Sequence, residues 1–376
     1  MTTPRKLGFG CMRLPLTDPE DFAKVDMAQV EKMVDTFLEH GFTYFDTAYM
    51  YHEFQSEKIV RAALVERHDR SAFTLATKLP TMFLKAEGDQ ERIFAEQLEK
   101  CGVDYFDYYL LHNLNVANYR KVCRFDSFAF AARMKAEGKI RHVGFSFHDS
   151  AELLDEILTA HPETEFVQLQ INYMDWENES IQSRRCYETA RRHGKPVVVM
   201  EPVKGGTLAR LPEEAEQRFR AVRPELSPAS WAIRYAAGLD GVMMVLSGMS
   251  SMEQLRDNIS YMQHFEPLNA EERAAVEDAV GIINRSIAVP CTACRYCVDG
   301  CPKQIAIPEY FALYNNAEQS LNKGFSVQTV YYANLAQTHG RASDCIGCRK
   351  CEKSCPQHLP IVEHLRQVAA RFDKEE

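Results

Sequence analysis

The chain has 376 residues, with 44 Lys and Arg against 53 Asp and Glu, and a formal net charge of -9 at pH 7. That length exceeds what one core usually needs, so a large domain plus a smaller one is expected. An acidic chain without a basic run argues against a nucleic acid partner, and no stretch reaches the roughly 18 apolar residues of a membrane span.

The first residues, MTTPRKLGFG, lack the apolar core of a signal peptide, so a cytoplasmic protein is expected. From Leu7 to about His264, short β-rich runs alternate with amphipathic helical stretches. The runs are LGFGCM from Leu7, FTYFDT from Phe42, FTLATK from Phe73, YFDYYLLH from Tyr105, IRHVGFS from Ile140, FVQLQINY from Phe166, PVVVMEP from Pro196 and GVMMVLS from Gly241. Between the first two, Val30, Met33, Val34, Phe37 and Leu38 fall at helical spacing and Gly41 stops them. Ile93, Phe94, Gln97, Leu98 and Cys101 repeat that pattern before Gly102. Strands that alternate with helices pair in parallel, and these eight units fit a closed (β/α)8 TIM barrel over residues 1–266. An open doubly wound sheet is the alternative, but no G-x-G-x-x-G follows the first run. Residues 267–288 read as a linker helix, with Asn269 as its cap and Glu272 three residues on.

Residues 289–376 hold two copies of C-x-x-C-x-x-C-x-x-x-C-P. The first supplies Cys291, Cys294, Cys297 and Cys301, the second Cys345, Cys348, Cys351 and Cys355. This run wraps three thiolates round a cubane iron-sulfur cluster and sends the fourth to its neighbour. One cluster would take Cys291, Cys294, Cys297 and Cys355, the other Cys345, Cys348, Cys351 and Cys301. Zinc sites usually use two separated pairs, and disulfide frameworks belong to small secreted chains, so two 4Fe-4S clusters are expected. The repeat extends past the cysteines, CPKQIAIPEYF being echoed by CPQHLPIVEHL, so each half reads as a cysteine loop followed by a helix in a smaller, mainly helical domain. The other cysteines, Cys11, Cys101, Cys123 and Cys186, lack ligand spacing and read as buried free thiols.

Barrel enzymes carry their chemistry at the C-terminal ends of the strands. The second run ends at Asp46 with Tyr51 five residues on, the third at Lys78, the fourth at His112. Taken singly, each has a bland explanation: a cap, a solvated lysine, a hydrogen-bonded core histidine. Together, in this order and on these strands, they resemble the tetrad of the aldo/keto reductase superfamily, and FDTA-x-x-Y followed by Ser56-Glu57 resembles its signature. The whole chain resembles aldo/keto reductases fused to a ferredoxin-like domain with two 4Fe-4S clusters. The resemblance implies carbonyl reduction, or alcohol oxidation, by hydride transfer from NADPH or NADH. Tyr51 would protonate the carbonyl oxygen, Lys78 would lower the phenol pKa, Asp46 would hold Lys78, and His112 would orient the oxygen.

It also implies nucleotide contacts: Ser146 and Gln170 for the nicotinamide amide, Met200 on the ring face, Gly205 and Gly206 after the seventh strand, Gly248 and Ser250 in a backbone anion loop, Gln254 and Asn258 for adenine. Phe147 replaces the usual Asn, and the basic residues that relatives place for a 2'-phosphate are missing, with Lys204 or Arg256 as substitutes. Phe83, Tyr173, Trp176 and His148 are candidate pocket-lining residues. A nicotinamide gives two electrons together and a cluster moves one, so three readings stay open. These are a carbonyl reductase of a small carbonyl or alcohol, a flavin-linked enzyme with a ferredoxin or flavodoxin partner, and a non-catalytic electron-transfer module.

Overall fold

The computed structural model of the chain describes residues 5–19, 21–178, 181–285, 288–291, 293–319 and 326–373. Its strands are β1 (Leu7–Gly10), β2 (Tyr44–Asp46), β3 (Thr74–Leu79), β4 (Phe106–Leu114), β5 (Ile140–Phe147), β6 (Phe166–Gln170), β7 (Val197–Met200) and β8 (Val242–Gly248). Each pairs in parallel with the next and β8 with β1, which closes the barrel in sequence order. Each strand falls on one of the eight β-rich runs, with β3, β4, β5 and β8 extending one or two residues past theirs, and the doubly wound alternative is excluded.

The barrel is built by the period of two that a strand imposes on its side chains. Tyr44, Ala76, Leu110, Phe166, Val198, Met244 and Leu246 pack as one layer from six strands. Gly144 makes room for that layer: a Cβ there would lie 2.5 Å from the Phe166 carbonyl oxygen and 2.7 Å from its ring. Two residues further along the same strand faces come Asp46, Lys78, His112, Ser146, Gln168, Met200 and Gly248. The pleat that packs the core therefore also aims the polar set at the mouth. On the outward face Phe9 and Phe45 meet Phe37, with ring centroids 5.4 and 5.3 Å away. Phe37 lies on the helix Met27–Glu39, which the Asp26 side chain caps, which buries Val30, Met33 and Val34, and beyond which Gly41 turns with φ 75. The helix Asp89–Cys101 buries Ile93, Phe94, Gln97 and Cys101 and stops at Gly102 with φ 68. Among the described residues, no helix is long and apolar enough to cross a membrane.

The chain divides into two compact units that interleave in sequence. The first comprises Met1–Asn172, Arg184–Pro202 and Ala229–Leu268, and contains all eight strands; the second comprises Tyr173–Ser183, Val203–Pro228 and Asn269–Glu376. In the second unit the helix Ala270–Asn284 begins with the expected capping box, Asn269 and Glu272 each accepting from the other's backbone N–H. It packs against the helix Glu213–Val222, and the ion pairs Arg223–Glu272 (3.4 Å) and Arg285–Glu214 (2.8 Å) join the two segments. The remainder is mainly helical: Ile307–Glu318, Val327–Leu335 and Ile361–Phe372. The first and last of these begin at equivalent places after Cys301 and Cys355, so the repeat seen in sequence is a repeat of structure. Tyr310, Phe311, Tyr331, Tyr332, Ile361 and Leu365 form their common core.

Of the four scattered cysteines, Cys11, Cys101 and Cys186 are buried as expected. Cys123 is exposed, because it falls on the solvent side of the helix Val116–Arg124.

Candidate functional site

At the barrel mouth Lys78 is wholly buried and donates to Asp46 Oδ1 at 2.6 Å and to the Thr47 carbonyl at 2.8 Å. Gln168 Nε2 donates to the other Asp46 oxygen at 3.2 Å. Asp46 thus receives hydrogen bonds on both oxygens. Burial raises its pKa against the pull of Lys78. For Lys78 burial works downward, but Asp46 and the Tyr51 oxygen outweigh it and its pKa lies above the usual value, so the ammonium persists at neutral pH.

Tyr51 opens a short helical turn, Tyr51–Phe54, in which His52, Glu53 and Phe54 have positive φ. Such backbone costs of order 1–3 kcal/mol per residue where it occurs. His52 pins the turn, its ring nitrogens lying 2.8 Å from the Phe22 carbonyl oxygen and 3.1 Å from that of Cys11. The Tyr51 ring centre lies 5.1 Å from Lys78 Nζ, and the hydroxyl bonds to Lys78. Burial raises the phenol pKa, the Lys78 charge and hydrogen bond oppose it, and Asp46 adds to the rise. Lys78 therefore acts in the expected direction without bringing the phenol below its ordinary value, because the buried site offers phenolate no water.

His112 stands edge-on to Tyr51, with centroids 6.1 Å apart. Its backbone oxygen accepts from Thr81 Oγ1 at 2.6 Å, which fixes the strand end. Burial, Lys78 and His148 hold the His112 pKa well below 6.5. Burial and Lys78 press His148 down to about 4. Two neutral imidazoles thus flank one ammonium at pH 7.

Ser146 is buried, and its Oγ accepts from the Asn113 N–H at 2.8 Å. Gln170 is also buried, and Met200 is half-buried at the end of β7. After β8 the Ser251 side chain caps the helix Met252–Met262. Within that loop two backbone donors are engaged by side-chain amides. Ser250 N–H donates to Gln254 Oε1 at 2.7 Å, and Met252 N–H to Gln29 Oε1 at 3.3 Å. Asn258 is buried and bonds Ser247 Oγ and the Tyr261 hydroxyl, so it ties the helix to β8. Gly205 and Gly206 both have positive φ and lie in the second unit. So does Lys204, which is buried in an ion pair with Asp175; as a substitute phosphate ligand it is already committed. A different cation reaches the β8 loop. Arg13, three residues after β1, lies with its stem against Gly248, where a Cβ would come within 3.1 Å of it, and it pairs with Glu201 at 3.0 Å.

Behind β3, Glu57 is fully buried, its Oε1 accepting from Thr77 Oγ1 at 2.8 Å and from Gln97 Nε2 at 2.7 Å. Gln97 also donates to the Lys78 carbonyl at 3.0 Å. Burial raises the Glu57 pKa to about 7 against those bonds.

In the second unit two cavities are each lined by four cysteines. Cys291, Cys294, Cys297 and Cys355 line one; Cys301, Cys345, Cys348 and Cys351 line the other. Each set is three thiols of one run and the last thiol of the other, the two sets inferred from spacing. Zinc, with Zn–S bonds of about 2.3 Å, would draw its sulfurs round one point. Among the described residues no three His, Cys, Asp or Glu side chains are gathered to hold a single ion. Four soft donors around a wider space fit a cubane.

The family model for the aldo/keto reductase family matches residues 6–280, nearly three quarters of the chain. The chain belongs to the aldo/keto reductase family. A model for the 4Fe-4S dicluster domain matches residues 290–362, so the reductase carries an iron-sulfur domain after its barrel. Relatives of this reductase include the oxidoreductase YqkF of Bacillus subtilis, 25% identical over 68% of this chain and 86% of that protein. An aldo-keto reductase of Mycolicibacterium vanbaalenii is 28% identical over 66% of this chain and 83% of its own. Among solved structures, the aldo-keto reductase AKR11C1 of Bacillus halodurans in its holo form superimposes with a TM-score of 0.58 at 26% identity, covering 73% of this chain and 91% of that one. The reductase is accordingly an oxidoreductase.

Sequence reasoning on this reductase brought Asp46, Tyr51, Lys78 and His112 to one place, and the structure gathers them there. It passed over Gln168 and Arg13, and took His148 only for a pocket wall. Gln168 and His148 carried a readable signal: Gln168 lies two residues before Gln170 on one face of β6, and His148 lies two residues after Ser146, just past the end of β5. Arg13 carried none, because its pairing with Glu201 joins loops far apart in sequence.

Proposed function

We propose that this reductase reduces a carbonyl of a small molecule, or oxidises the corresponding alcohol, with Tyr51 exchanging the proton at oxygen. The buried Asp46–Lys78 pair at 2.6 Å beside the Tyr51 hydroxyl supports this reading most directly. Asp46 fixes Lys78, and Lys78 stabilises the phenolate left when Tyr51 gives up its proton. His112, held neutral, has a ring N–H to donate to the substrate oxygen and no charge to repel Lys78. NADPH or NADH, when bound, supplies the hydride. Ser146, Gln170 and Met200 would hold the nicotinamide end. Gly248 and Ser250 would hold the phosphate end once the Gln254 and Gln29 amides yield their backbone donors, Gln254 would turn to the adenine, and Asn258 would keep the helix in place. Arg13 supplies a positive charge there in place of the family's missing basic residues.

The two four-thiol cavities would hold two 4Fe-4S clusters, which supply one-electron transfer. They favour a second reading, in which electrons reach or leave the barrel through a ferredoxin- or flavodoxin-type partner with a flavin in the nucleotide site.

Replacing Tyr51 by Phe tests the first reading. Carbonyl reduction measured over a panel of aldehydes and ketones should fall by roughly 10² to 10⁴-fold, with nucleotide affinity within about threefold of wild type. Retention of most activity would refute the proton-donor role. Turnover with reduced ferredoxin but not with NADPH or NADH would move the assignment to the second reading.

A further inference from the structure

The two four-thiol cavities repeat each other in ligands but not in charge. The cavity of Cys291, Cys294, Cys297 and Cys355 has one basic residue in its wall, Arg295, which is ion-paired with Glu309. The cavity of Cys301, Cys345, Cys348 and Cys351 has three: Lys303, Arg349 and Lys350. All three are exposed, and so is Cys348. Only Arg349 has an acidic neighbour, Glu352, at 3.7 Å, and among the described residues neither lysine is in an ion pair. Ile346, in the same wall, is 62% exposed, and among the described residues it is the one large aliphatic side chain left that open.

We propose that this rim, Lys303, Arg349 and Lys350 around Ile346, is the docking surface for a small acidic protein that carries one electron. The proposal rests on the reading that the cavities hold 4Fe-4S clusters. Its own content is which cavity faces the partner and what the partner's surface must be. A cationic ring round an exposed apolar centre has the composition of a transient interface, in which the apolar contact gives affinity and the charges set encounter rate and orientation. The rest of the chain sharpens the selection. The whole chain, rim included, has a net charge of -9 and repels an acidic protein in general, so a local cationic patch is where such a protein can approach. At physiological salt, charges beyond about 8 Å are screened, and the rim residues decide. Nothing but one electron crosses such a surface, the carrier losing it as the bound group gains it, or the reverse.

The test uses the full, iron-loaded chain and a strongly acidic bacterial ferredoxin as the probe, with binding measured by titration at 50 and 500 mM salt. Wild type should bind at the lower salt and lose on the order of tenfold or more at the higher. K303E/K350E should weaken binding at least tenfold at low salt with iron and sulfide content unchanged, and the milder K303Q/K350Q should weaken it less. K32E/R120E, which makes the same change in net charge on exposed barrel helices, should leave affinity within about twofold. Equal losses in both double variants, or no wild-type binding by an iron-loaded protein, would overturn the proposal. So would salt-sensitive self-association abolished by K303E/K350E, which would assign the rim to a second copy. A chain that takes up no iron would instead remove the reading on which the proposal stands.

Discussion

Replacing Lys78 by Met removes a cation that is bound to two oxygens and stands 5.1 Å from the Tyr51 ring centre. At an effective dielectric constant of about 20, a unit charge at 5.1 Å is worth roughly 3 kcal/mol to a phenolate. If the transition state develops most of that charge, kcat falls on the order of 200-fold. Stability suffers for a separate reason: Asp46 is left buried with only Gln168, and breaking such a pair costs about 3–5 kcal/mol. The double substitution D46N/K78M separates the two effects. Asn needs no counter-charge, so the thermal midpoint should return most of the way to wild type, while kcat stays as low as in K78M. The assay is carbonyl reduction across pH with the unfolding midpoint of each variant measured anaerobically. A folded K78M enzyme within tenfold of wild-type kcat, or recovery of rate in the double variant, would refute the reasoning.

Other outcomes follow from the same structure. Anaerobically purified protein should contain close to eight irons and eight sulfides per chain, and Cys355→Ala should damage the cluster of the first run, Cys291 to Cys297, before that of its own; two zincs without sulfide would sink the assignment. Glu57 keeps its proton to about pH 7 when folded and loses it near 4.5 when unfolded, so stability falls as pH rises between those values, by about 3 kcal/mol in all. E57Q, which cannot ionise, should therefore melt higher than wild type at pH 8 and equally at pH 4.5; equal midpoints at both would show that the group does not titrate as its burial requires. Titration of NADPH and NADH at one salt concentration should show weak discrimination, since Lys204 is committed to Asp175 and Arg13 is shared with Glu201. A hundredfold preference for NADPH would require another cation.

The parts of this molecule that were legible in its sequence are those in which one rule repeats. The β-rich runs announced the strands because a barrel strand is apolar on both faces, and the polar residues at Asp46, Lys78 and His112 stood out as interruptions at the ends of such runs. The cysteines were legible because a cubane fixes ligand spacing along the chain as well as in space. Elsewhere, sequence distance hid physical proximity. Asn258, the seventh residue of the helix Met252–Met262, reads in sequence as an amide for adenine, yet it is buried and bonded to Ser247 and Tyr261. Nothing local marks residues 203–228 as partners of 269–376, since Arg223–Glu272 and Arg285–Glu214 are pairs that only the fold brings together. The Tyr51 pKa shows a further limit: the sign of the Lys78 influence could be read from residue types, but the opposing effect of burial needed the structure.

The exchange of fourth thiols between the two cysteine runs bears on how the protein is made. Cys355 is the last of the eight to leave the ribosome, and it belongs to the cavity whose other three thiols were synthesised first. A nascent chain therefore holds Cys291, Cys294 and Cys297 as an unfinished site while more than fifty further residues are added. Neither half of the domain would mature alone, and loading of the proposed first-run cluster would wait for Cys355, long after the barrel strands have emerged. A chain truncated before Cys355 would then lose its earliest cluster site rather than its latest.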